Sequence, residues 1–128
     1  MLLATNYSNL NTISRKFTIL RNFKVWQQAM EVTVKAYVLT SSFPKEEKFG
    51  LKSQIQRSAV SIPSNIAEGC GRVSGKELQH FVSISMGSSY ELETQVTLAY
   101  RFNYISEEQL RDFELLLIPV QKNAIWIL

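Results

Sequence analysis

The 128-residue sequence predicts an all-α fold, an antiparallel four-helix bundle in up-down-up-down order. Three observations lead there. Apolar residues recur at spacings of three and four over four segments, the mark of an amphipathic helix face. No segment alternates apolar and polar at period two, as a half-buried strand would. The connections between the four segments are short, and short loops oblige successive helices to pack antiparallel.

Residues 1–20 are rich in Asn, Ser and Thr and hold no sustained period, so they read as a poorly ordered N-terminal arm or a start placed too far upstream. The helical domain spans 21–128. In its first helix, Trp26, Met30, Val34, Tyr37 and Ser41 share one face, with Phe23, Ala29 and Val38 beside them, which makes this stripe the expected core side. Phe43-Pro44 ends the helix, because a residue before proline is pushed out of the helical region. Lys45-Glu46-Glu47-Lys48 is a charged connection.

The second helix starts near Phe49-Gly50 and runs to Glu68, with Leu51, Ile55, Ala59, Ile62 and Ile66 as its core side. Pro63 lies within it and is expected to bend or break it. Gly69-Cys70-Gly71 is a strong stop. Ser74-Gly75-Lys76-Glu77 reads as a capping box that opens the third helix. That helix runs to about Phe102 on a face of Leu78, Phe81, Val82, Ser85, Ser89, Leu92, Val96 and Ala99. Gly87, Ser88 and Ser89 make its middle narrow, so a neighbouring helix is expected to approach there. Asn103-Tyr104-Ile105 is a turn, and Ser106-Glu107-Glu108-Gln109 is a second capping box. The fourth helix carries Leu110, Phe113, Leu116, Leu117, Val120 and Ala124, with a kink expected at Pro119.

A chain of this length buries a core without metal or disulfide staples. Cys70 has no second cysteine to pair with, so a reducing cytoplasm is the default compartment. The opening residues lack the basic start and long apolar run of a signal peptide. No stretch approaches the roughly 20 apolar residues of a membrane span. The net charge of +3 is unevenly spread: residues 1–64 carry nine Lys/Arg against three acids, and residues 65–128 five against eight. A basic half suits an anionic partner such as RNA; a mixed solvated surface is the other reading.

The least ordinary feature is a polar line on the second helix. Gln54, Arg57, Ser61, Asn65 and Glu68 follow at spacings of three and four and therefore share a stripe. They lie between apolar Ala59, Val60, Ile62 and Ile66, so partial cover is expected, and a covered arginine needs a carboxylate. Glu91 and Glu93 on the third helix are the candidates, and the expected network, with Ser88 near it, is anchored on Arg57 and Glu91. The stripe reads as a device that holds helices or subunits in register, with a ligand site as the alternative.

The motifs together resemble a known family. They are Phe23-Lys24-Val25-Trp26-Gln27-Gln28-Ala29, Phe43-Pro44 followed by Phe49-Gly50-Leu51, the run from Gln54 to Gly69, Gly87-Ser88-Ser89-Tyr90-Glu91-Leu92-Glu93, and Leu98-Ala99. In this order, over about residues 20–128, the chain resembles the 23S rRNA intervening-sequence proteins. The resemblance implies a bacterial protein with a left-handed four-helix bundle that assembles as a ring-like homopentamer. A related bundle serves diversity-generating retroelements as a basic pentamer that engages nucleic acid and a reverse transcriptase. Three features depart from the pattern: residues 1–19, Pro119, and the apolar tail Asn123-Ala124-Ile125-Trp126-Ile127-Leu128.

No catalytic constellation stands out. His80 and Cys70 are single, too few for a zinc site or a nucleophile–base pair. Gly69-Cys70-Gly71-Arg72 follows a helix and lacks the Gly-Lys-Ser/Thr ending of a phosphate loop. No cofactor or metal is implied. Tyr100, Phe102 and Tyr104 beside Arg101 suit a hydrophobic cap, with base stacking as the alternative. The expectation is a non-enzymatic homo-oligomer that binds RNA or DNA through Lys24, Lys35, Lys45, Lys48, Lys52 and Arg72. A protein-interaction scaffold with no nucleic-acid role is the alternative.

Overall fold

The structure is a computed structural model that describes residue 15 and residues 18–128; the rest of the N-terminal arm lies outside the described residues. Residues 18–21 are helical. Four long helices follow: α1 (Lys24–Thr40), α2 (Leu51–Cys70), α3 (Gly75–Arg101) and α4 (Glu107–Ile125), with a single 3-10 turn at Lys45–Glu47. Among the described residues there is no strand. Each long helix packs against two others, α1 on α2 and α4, and α3 on α2 and α4. The space between them holds one core, whose largest fully buried side chains are Phe113, Ile55, Ile62, Ile66, Leu92 and Leu117. Each such side chain contributes about 1.5–3 kcal/mol by leaving water.

The ends of the helices follow local chemistry. At Ser106 the capping box is complete: its hydroxyl accepts from the Gln109 N–H, and the Gln109 side chain accepts from the Ser106 N–H. At Ser74 only half of the expected box forms, with the hydroxyl accepting from the Glu77 N–H. The α3 helix ends on Asn103, held at φ 63°, while the Tyr104 N–H reaches the Ala99 carbonyl and the Asn103 N–H the Tyr100 carbonyl. This is a Schellman stop with asparagine in the left-handed position. It turns Ile105 back into the core.

Three expectations are corrected. The core side of α1 is Val25, Ala29, Val32, Ala36 and Leu39, whereas Met30, Val34, Tyr37 and Val38 are exposed. The larger apolar stripe faces away from the bundle, because the smaller Ala and Val residues let α1 fit closely against α2 and α4.

Pro63 does not break α2, which is continuous from Leu51 to Cys70. A proline leaves the carbonyl four residues earlier without its donor. That carbonyl is Ala59, and the Thr33 hydroxyl of α1 donates to it at 3.0 Å, while also lying 2.8 Å from the Ala29 carbonyl. Pro119 likewise leaves α4 unbroken. Its orphaned carbonyl belongs to Leu115, on the exposed face where water can satisfy it.

The approach expected at Gly87, Ser88 and Ser89 is made at Ser88, whose hydroxyl lies 2.8 Å from that of Ser61, and not at Gly87 itself, while Gly69 is a further tight point. A Cβ on Gly69 would stand 3.0 Å from Phe81 Cβ and 3.3 Å from Leu78 Cα, whereas one on Gly87 would meet nothing within 4 Å.

Candidate functional site

The polar line on α2 divides into three parts. In its middle, the Ser61 and Ser88 hydroxyls share a hydrogen bond of 2.8 Å, and the Asn65 amide donates to Ser61 Oγ and to the Ser61 carbonyl. Deeper in the same seam, Ser58 donates to buried Gln95 Oε1 at 2.9 Å, and Gln95 Nε2 donates to Glu91. The Ser85 hydroxyl reaches the Ile62 carbonyl at 2.9 Å. No buried side-chain polar atom among the described residues lacks a partner, so this seam satisfies itself and specifies how α2 and α3 lie together.

The outer members go elsewhere. Glu68 takes an ion pair with Arg72 one turn on. Gln54 and Arg57 are exposed. The expected Arg57–Glu91 pair does not form within the chain: among the described residues, the ion pairs are Arg72–Glu68 and Arg111–Glu107. Both partners sit on the outside of their helices, where water already solvates each charge.

The six basic candidates are not one patch. Lys24 opens α1, Arg72 follows α2, and Lys35 lies midway along α1. The guanidinium of Arg72 is occupied twice, by Glu68 and by the Phe81 ring 5.0 Å away. Lys45, Lys48 and Lys52 do come together. They line an open cleft of about 620 Å³ with Ser53, Gln56, Phe43 and Phe49, where the α1–α2 connection meets the first turn of α2. No acid lines this cleft. The Glu47 carboxylate instead lies against Gly50, in the space that a Cβ there would take. The Tyr104 phenol is pushed up, first by desolvation and then by the charge and hydrogen bond of Glu47, with Glu46 adding to it.

Aromatic rings gather at this same end. Tyr104 packs on Phe43 at 5.3 Å between centroids and on Phe102 at 5.8 Å. Of the three rings expected to cap this end, Tyr104 is partly buried against buried Phe43, whereas Tyr100 and Phe102 are exposed. Phe49 does not join the cap: it is 89% exposed, with the Lys48 ammonium 5.4 Å from its centroid. In the sequence Phe49 marks a helix start and a family motif, with no binding role. A phenylalanine between two lysines in a polar connection was the available signal. Gln95, buried on the α3 core side, was likewise missed, although its place between Leu92 and Val96 marked it.

Other chemistry is sparse. Among the described residues, no three His, Cys, Asp or Glu side chains are grouped to hold a metal ion, and no helix is long and apolar enough to cross a membrane. Burial pushes the Cys70 thiol up, which lowers the thiolate fraction and with it reactivity. His80 is exposed beside the Phe81 ring.

Comparison with known proteins agrees with the motifs. The family model of 23S rRNA-intervening sequence proteins matches residues 21–124. A crystal structure of a Bacteroides thetaiotaomicron protein of unknown function, from the S23 ribosomal protein family, is similar in fold and sequence. Its TM-score is 0.72 at 25% identity, over 80% of this chain and 96% of that one. Curated proteins show no match.

Proposed function

The chain belongs to the 23S rRNA-intervening sequence protein family, and from that premise we propose that it works by assembly and binding rather than by catalysis. It is a cytoplasmic homo-oligomer, a pentamer by family resemblance, that presents its basic N-terminal half to RNA or other nucleic acid. Each protomer is an antiparallel up-down-up-down four-helix bundle of left-handed sense. The order of partners supports opposed neighbours: Ser58, Ser61 and Ile62 of α2 meet Gln95, Ser88 and Ser85 of α3 in descending order. Thr33 and Thr40 of α1 likewise meet Ala59 and Gln56 of α2.

One observation carries the assembly, the outward face of α1. Met30, Val34, Tyr37 and Val38 form an apolar stripe at helical spacing, and Val34 is 64% exposed. A stripe of this kind marks an interaction surface. Arg57 and Glu91, unpaired with each other inside the chain, are suited to meet across subunits. Repetition then multiplies weak phosphate contacts into useful avidity.

Sedimentation analysis tests the assembly. The protein is expected at several protomer masses, with five as the family value. Val34→Glu is expected to yield a folded protomer by far-UV circular dichroism, since that position buries little. A wild-type protein that sediments as a monomer at micromolar concentration overturns the reading. Titration with structured RNA tests the partner: the logarithm of the affinity is expected to fall linearly with log salt, and binding indifferent to salt overturns that part. The scaffold alternative draws on Trp126, 88% exposed in an apolar tail; binding of a protein partner that Trp126→Ala abolishes, with no RNA bound, favours it.

A further inference from the structure

We propose that the cleft lined by Lys45, Lys48, Lys52 and Phe49 takes an unpaired base and its flanking phosphates from a single-stranded nucleic acid, with the Phe49 ring as the stacking platform. This rests on the nucleic-acid reading above and adds to it a place and a strand state. The six basic candidates divide in the fold, and Lys45, Lys48 and Lys52 line one cleft together. None of the three is within ion-pair distance of an acid among the described residues, so their charge is available to phosphate.

Phe49 then decides the strand state. A phenyl ring 89% exposed gains nothing from the core and contributes nothing to a contact with phosphate. Its chemistry is that of a π-face, and every base has one, so the contact tolerates sequence. The Lys48 ammonium, 5.4 Å from the centroid, places positive charge beside the ring and within reach of a phosphate next to a stacked base. In a duplex the base faces are already stacked on one another, and only an unpaired base can offer one. Gln56 spends its amide N–H on Thr40 Oγ1, which leaves its carbonyl oxygen and the Ser53 hydroxyl in the cleft for sugar or base edge. A ribose 2′-hydroxyl would be a partner that DNA lacks, so the shared chemistry is single-stranded nucleic acid, and the test separates the two sources.

Fluorescence anisotropy at low salt, with labelled oligoadenylate as RNA and as DNA and with a blunt duplex of the same length, reads the inference. Either single strand is expected to bind more tightly than the duplex, and a preference for RNA assigns the 2′-hydroxyl contact. Phe49→Ala is expected to weaken single-strand binding about ten-fold or more and to leave duplex binding unchanged. Phe49→Leu should match it, since bulk without a π-face does not stack, and Phe49→Trp should restore affinity. Lys48→Ala and Lys52→Ala should each lower the salt slope by about 0.7. Trp126→Ala, equally exposed at the other end of α4, should change nothing. If Phe49→Ala and Phe49→Leu bind single strands as wild type while salt-dependent binding persists, the stacking site is overturned and the wider nucleic-acid reading stands. If no salt-dependent binding of strand or duplex is seen, both fall.

Discussion

Helices α1 and α2 lie side by side and manage their apolar residues in opposite ways. In α2, Leu51, Ile55, Ala59, Ile62 and Ile66 form one buried stripe, and the outer positions Gln54, Arg57, Ser64 and Glu68 are polar, with Val60 the apolar exception. In α1, the buried stripe is built from small residues, Val25, Ala29, Val32 and Ala36 with Leu39. Its larger apolar residues, Met30, Val34, Tyr37 and Val38, point outward. The difference teaches what each helix is for. A helix apolar on one side completes a core, whereas a helix that also carries an outward apolar stripe is suited to being covered on both sides. On this account α2 is finished within the protomer, and α1 is finished only by a neighbour.

The sharpest test sets one buried position of α2 against one outward position of α1. Ile62→Ala removes a side chain of zero exposure and is expected to cost about 2–5 kcal/mol of protomer stability. Val34→Ala is expected to stay within about 0.5 kcal/mol in urea denaturation of the dissociated protein, while reducing the assembled fraction. A large cost at Val34 in a monomeric preparation would break the comparison.

The seam between the two helices gives the next effect. Thr33→Val removes the hydroxyl that serves the Ala59 carbonyl and is expected to cost about 1 kcal/mol. With Pro63→Ala present, the restored N–H serves that carbonyl, so the cost of Thr33→Val should shrink. A double-mutant cycle measures the coupling; purely additive effects would show that Thr33 does not compensate for the proline.

The smallest effects come from the two glycines. Gly87→Ala meets open space and is expected to stabilise the protomer by about 0.5–1 kcal/mol through helix propensity. Gly69→Ala forgoes that gain, because its Cβ presses on the Leu78 backbone and on Phe81. The ranking Gly87→Ala above Gly69→Ala in thermal midpoint is the outcome to check. If Gly87→Ala disturbs the assembled mass instead, the surface around it lies at a subunit contact.

Much of the fold was legible from local rules. The α2 core stripe, the Gly69–Gly71 stop and the Ser106 capping box depend on residues within a few positions of one another, and they stand as read. The α1 face was not legible, because its apolar residues support two registers and period alone does not choose between them. That Pro63 leaves α2 unbroken was not legible for a related reason: the residue that serves the Ala59 carbonyl is Thr33, on another helix. At the candidate site, the lysines were visible as charge but not as a cleft. Lys24, Lys35 and Arg72 carry the same charge as Lys45, Lys48 and Lys52 and differ only in where the chain folds them.

By itself, then, the sequence determined an all-helical chain, the approximate ends of its four long helices and an uneven charge, since periodicity, caps and composition are local quantities. The tertiary structure alone decided which side of α1 is buried, that Gly69 rather than Gly87 is the glycine pressed by a neighbour, that Arg57 and Glu91 do not meet within the chain, and that Phe49 shares a cleft with three lysines. Each of these depends on which helix comes to lie beside which, and that is settled by the packing of distant side chains rather than by neighbours in sequence.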